Sequence, residues 1–143
     1  METSRPISLV RRKRISVWDT EKTVLIGIIT SDKVLSSVFT ILDPKLFSLD
    51  VGRRVVSWVI EYFEQYKKSP GISIQTIYQA EKENLKEEQQ IMIAEFLQSI
   101  SETYINDPPN EDYIIDLSID FLRKQKILQI AKEAQGLIEV GRP

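Results

Sequence analysis

What most constrains this chain is the spacing of its apolar residues, which recur at intervals of three and four along almost its whole length. Between Asp50 and Lys67 the residues Val51, Val55, Trp58, Val59, Tyr62, Phe63 and Tyr66 form one stripe over about five turns. Upstream, Val24, Leu25, Ile28 and Ile29 and then Val34, Leu35, Val38, Phe39 and Leu42 repeat the pattern, with Ser31-Asp32 offering a helix cap between them. Downstream, Ile74, Ile77 and Tyr78 suit a short helix that Ser73 can cap, and Ile93, Phe96, Leu97, Ile100 and Tyr104 share the face of another. Proline and glycine punctuate these runs at Asp43-Pro44, at Ser69-Pro70-Gly71 and at Asn106-Asp107-Pro108-Pro109-Asn110. The spacing predicts an all-α fold with helices near 20–30, 32–42, 50–67, 73–83, 87–104 and 111–140. Leu25, Ile28, Val38, Val55, Val59, Phe63, Phe96, Leu97 and Ile100 are its expected core.

The 143 residues suit one domain plus a tail. Residues 1–18 hold five basic groups and one acid, with Arg11-Arg12-Lys13-Arg14 as their densest run and no helical period, so they read as a mobile basic tail. Their charge is +4 in a chain of net −2, which leaves −6 on residues 19–143 and no global attraction of the body for nucleic acid. Residues 19–104 are expected to form a compact globule of about five helices, and residues 105–143 a loop and a helix of ~40 Å or more. Asp19-Thr20-Glu21 reads as a helix start carrying a first-turn acid. Late in the last helix Ile127, Ile130, Ala134, Leu137 and Ile138 make an apolar seam too far along to be covered by the globule. These five are the expected self-association site.

Several chemistries are excluded or weakened. Without cysteine there is no disulfide, thiolate metal site or thiol nucleophile, and without histidine the commonest general base and transition-metal ligand is gone. Gly136 and Gly141-Arg142-Pro143 have the glycine spacing of a phosphate-binding loop. Arginine stands for its lysine and proline for the hydroxyl that holds magnesium, so a helix ending at glycine is the better reading. Asp112, Asp116 and Asp120 line one helical face, which suits a solvated surface better than a divalent metal site. Arg11, Arg12, Lys13 and Arg14, with Trp18 nearby, could contact a phosphate backbone and stack a base. No apolar run approaches the ~20 residues that span a bilayer, so a soluble, cytoplasmic protein with no membrane partner is expected.

The order of segments carries a resemblance. Leu25-Ile26-Gly27 with its hydrophobic helix pair and a proline turn closing on Phe47 comes first. Arg53-Arg54 then opens the aromatic helix, followed by Ser69-Pro70-Gly71-Ile72-Ser73-Ile74-Gln75-Thr76-Ile77 and by Asp120-Phe121-Leu122-Arg123-Lys124-Gln125-Lys126-Ile127-Leu128. Taken together, residues 20 to 138 resemble the N-terminal domain of DnaB-type replicative DNA helicases. Arg53 stands where that family often has histidine, Gly71 looks inserted, and 79–90 match weakly.

The resemblance implies a helical globule followed by the first helix of a hairpin, in a non-catalytic collar domain that associates subunits and docks primase or a helicase loader. It implies a hexamer in the full-length protein and a dimer for this portion. No catalytic, cofactor or metal residue transfers, because ATP, magnesium and most single-stranded DNA binding would belong to a RecA-like motor domain beyond this chain. The competing expectation is a free-standing helical adaptor of loader or primase-associated type. A DNA-binding regulator working through the tail, and an enzyme using the aspartates, rank below it.

Overall fold

The computed structural model describes residues 17–106 and 110–140, with side-chain surroundings for 17–100 and 110–137. Arg11 to Arg14 therefore lie outside the described residues, as does most of the 106–110 loop. Six α-helices follow one another: α1 Val17–Thr30, α2 Asp32–Val38, α3 Asp50–Tyr66, α4 Ser73–Glu81, α5 Glu87–Asn106 and α6 Glu111–Val140. Short 3-10 turns cover Phe39–Ile41, Pro44–Leu46 and Lys82–Asn84, and there is no strand among the described residues. The fold is all-α.

Local chemistry accounts for most of the boundaries. The chain bends by 113° between α1 and α2. At that bend the Ser31 hydroxyl accepts from the Val34 N–H at 3.1 Å, the N-cap geometry expected of it. Pro44 opens a 3-10 turn whose preceding Asp43 accepts from the Lys45 N–H at 2.9 Å, and the turn delivers Leu46 and Phe47 into the core. Helix α3 ends on Lys67 in the left-handed conformation at φ 60°, its N–H bonded to the Phe63 carbonyl at 2.7 Å. Gly71, at φ 53°, carries the chain back so that its N–H reaches the Ile29 carbonyl at 2.7 Å.

Four local expectations are corrected. Helix α1 starts at Val17, so Val17 and Trp18 belong to the body, and Trp18 lies 6.0 Å from Phe96, ring to ring. The segment expected as one helix over 32–42 tightens into a 3-10 turn after Val38. Ser73 is the first residue of α4, where Ile72 takes the cap position without a side-chain bond. Phe63 is half-buried against Phe39, 4.6 Å away, whereas the other eight expected core residues are buried.

The core is one cluster in which α1 packs on α2, α3 and α6. Helix α6 is part of that cluster for its first half. Ile114, Phe121 and Leu122 are buried, and Phe121 meets Phe47 at 5.6 Å. Gly27 lets the helices approach closely: a Cβ there would stand 2.6 Å from Ile114 Cγ2. No single helix among the described residues is long and apolar enough to cross a membrane, and the bent apolar pair α1–α2 is largely buried in this core.

Candidate functional site

Along α6 the apolar residues change sides. At about 100° per residue, Ile114, Ser118, Phe121 and Leu122 point one way, and Ile127, Ile130, Ala134 and Leu137 point roughly 155° away from them. The first set faces α1 and α2. The second set has no cover: Ile127 is 65% exposed, Ile130 54% and Leu137 74%, and Ala134 is exposed as well. Its spacing of three, four and three is the a/d pattern of a helix that pairs with another helix. Ile138 lies on the same helix, with its side chain outside the described residues. The structure thus gathers the described members of the expected self-association seam on one exposed face.

The start of α6 is anchored. The Ser31 hydroxyl donates to the Glu111 carboxylate, and Lys33 pairs with Asp112 at 2.8 Å. Asp112 beside Lys33 holds that ammonium above its usual pKa. Asp120 pairs with Lys124 at 3.0 Å, so two of the three aspartates of the acidic face are engaged by lysines on the surface. Among the described residues, no group of three or more metal-ligating side chains comes together. Gly136 sits inside the helix, which runs on to Val140, the residue before Gly141.

Two clefts flank this frame. One, of about 370 Å³, lies where the Pro44 turn meets α6 and carries Arg123 and Lys126 on its rim. The other, of about 630 Å³, runs between α3 and α4, with Trp58, Tyr62, Tyr66 and Ile77 in its walls and Glu61 and Glu81 as its charged groups. Tyr62 and Tyr66 form a tilted ring pair with centroids 4.6 Å apart. Of the aromatic residues on the α3 stripe, Trp58 is buried and Tyr66 is 54% exposed.

The start of α3 is supported by a residue that reads in the sequence as a surface acid. Glu21 is fully buried, and one carboxylate oxygen accepts from the Ser48 N–H at 2.9 Å and the Ser48 hydroxyl at 2.7 Å. It ties the residue before the Leu49 cap position to α1, while Leu49 itself gives α3 no side-chain cap bond. Its other oxygen has no partner. A signal for this burial exists in the sequence: Glu21 lies four before Leu25 and seven before Ile28, in the middle of the apolar stripe. Arg53 completes this corner by donating to the carbonyls of Phe47 at 2.8 Å and Ser48 at 3.1 Å and to Asp50 at 3.1 Å.

No family model matches the chain, and no curated protein or solved structure is significantly similar to it.

Proposed function

We propose that this chain is a non-catalytic assembly and docking domain that self-associates through the outer half of α6. In the proposed setting it is the collar domain of a replicative DNA helicase, holding subunits of a hexamer together and docking primase or a helicase loader. The observation that carries the assembly role is the change of side along α6. A helix with its inner half in the core and an apolar a/d seam on the opposite face is built to hold two partners at once. The replication setting rests on the ordered segments from Leu25 to Leu128 quoted above. ATP and magnesium belong, on this reading, to a motor domain elsewhere in the full-length protein.

The test of assembly is sedimentation of the wild type and Ile130→Asp at high micromolar concentration. The wild type should form a symmetric dimer. The variant should be a folded monomer, because an unpaired carboxylate at the centre of the seam would be desolvated. A monomeric wild type, or a dimer that tolerates Ile130→Asp, refutes the assembly role. The helicase setting is tested separately by reading the gene beyond codon 143, where a linker and a Walker A motif should follow.

A further inference from the structure

The outer seam of α6 has the same spacing in both directions. Ile127, Ile130, Ala134 and Leu137 are separated by three, four and three residues, so the series is symmetric about a point near Lys132. Side-chain size breaks that symmetry and separates the two ways in which two copies of the helix can pair. In a parallel pair each residue meets its own copy, and the Ala134 layer would hold two methyl groups and a void between the larger layers at Ile130 and Leu137. In an antiparallel pair Ile130 meets the second copy's Ala134, and Ile127 meets its Leu137. Every layer then holds at least one large side chain, and the small one always faces a large one.

Charge selects the same arrangement. Followed back along α6, the direction of the seam meets Arg123 in line with it and then Asp116 and Asp112 within roughly 20° of it. A parallel pair would set Arg123 against Arg123 and Asp116 against Asp116. In an antiparallel pair centred near Lys132, Arg123 comes level with the second copy's turn at Val140, and Asp116 falls about 12 Å past that turn. Lys126 and Glu133 are exposed and share one flank of the seam. Antiparallel pairing brings Lys126 of each copy to within about 7–8 Å of the other's Glu133 along the axis, so the two glutamates nearest the two-fold are bracketed by the two lysines. Given the self-association of α6 on which this rests, we infer that two copies pair antiparallel about a two-fold axis near Lys132, with Ile130 of each against Ala134 of the other. The two globules then stand at opposite ends of the joined helices, and the pair closes on itself.

The chain has no cysteine, so one introduced cysteine carries a spin label to a defined place. Asp116 and Lys124 are exposed positions on α6 outside the seam. Asp116→Cys and Lys124→Cys, each labelled in the full chain, are sedimented beside the wild type at high micromolar concentration, and the distance between the two labels of a dimer is measured by pulsed electron paramagnetic resonance. With 1.5 Å per residue and helix axes about 8–10 Å apart, the antiparallel pair should give about 50 Å at position 116 and about 25–30 Å at position 124. A parallel pair would bring the labels at position 116 to within about 20 Å, and an antiparallel pair slid by one heptad would give about 38 Å there. Either result in a dimer overturns this pairing and leaves the assembly role standing. So does a wild-type dimer that the label at position 116 breaks apart, because the antiparallel pair leaves that position uncovered. A monomeric wild type removes the assembly role and this pairing with it.

Discussion

Gly27 is where the relation of α6 to the core can be measured. A Cβ at that position would lie 2.6 Å from Ile114 Cγ2 and 3.1 Å from Val34 Cγ1, both on buried side chains. Alanine within a helix gains about 0.5–1 kcal/mol over glycine. Against that, a carbon contact of 2.6 Å is far inside the 3.5–4.0 Å optimum, and overpacking of this kind costs about 1–3 kcal/mol. Relief by sliding α6 is opposed by the bonds at its start, Ser31 to Glu111 and Lys33 to Asp112. Gly27→Ala should therefore destabilise by about 0.5–2 kcal/mol. Ile114→Ala alone should cost about 2–5 kcal/mol as a core cavity. In the double variant the methyl group added at position 27 enters the space that Ile114 vacates, so the pair should be about 1–3 kcal/mol more stable than the sum of the single changes. Urea unfolding followed by circular dichroism and tryptophan fluorescence gives all four corners of the cycle. A coupling within about 0.5 kcal/mol of zero would mean that α6 does not cross α1 at Gly27. The direction assigned to the outer seam would fall with it, since the inner half fixes which way the outer half faces.

Three further outcomes follow from side chains elsewhere in the core and at its edge. Ser118 is fully buried with an unpartnered hydroxyl, so Ser118→Ala should stabilise by about 1 kcal/mol in the same unfolding assay. Glu21→Ala strips the Ser48 N–H and hydroxyl of their acceptor and leaves a cavity, costing about 2–4 kcal/mol, whereas Glu21→Gln keeps an acceptor there and should cost much less. The Asp32 carboxylate accepts from the Ser69 N–H at 2.7 Å and the Ser69 hydroxyl at 2.8 Å, and these bonds hold its pKa below the ordinary 3.8. A lowered folded pKa contributes stability above the ordinary value that is lost as pH falls through the lowered one. The stability gap between wild type and Asp32→Ala should accordingly be widest near neutrality and close in acid.

The period of the apolar residues makes the helices legible, because each stripe is set by the one core it faces. The Ser31 cap and the Pro44 turn are legible for a related reason, since both depend on a few adjacent residues. What escapes the sequence depends on contacts distant along it. Glu21 reads as a first-turn acid until Ser48, 27 residues on, is seen to donate to it twice. Ser73 looks like a cap because its hydroxyl suits the role, but the chain turning at Gly71 places Ile72 in that position instead. The acidic cleft is similarly hidden, for Glu61 and Glu81 belong to different helices, and only the packing of α4 on α3 makes them neighbours.

The change of side within α6 also constrains how two copies can meet. Between Leu122 and Ile127 the apolar positions swing round the helix by roughly half a turn with no proline and no break in the helix, so the shift is written in side chains alone. The Gln125 amide still reaches the Leu46 carbonyl at 3.5 Å, which puts the end of the globule near that residue. From Ile127 to Leu137 the helix then runs largely exposed for about 15 Å. A partner on the outer seam must approach from the face opposite to α1 and α2. In a symmetric pair the two globules would then lie on the outer flanks of the joined helices. The globules then take no part in the pairing, and Ile130→Asp should abolish the dimer while leaving urea unfolding of the globule unchanged. Loss of dimer and of globule stability together would show that the outer seam is packed into the globule, and that the swing along α6 does not free it.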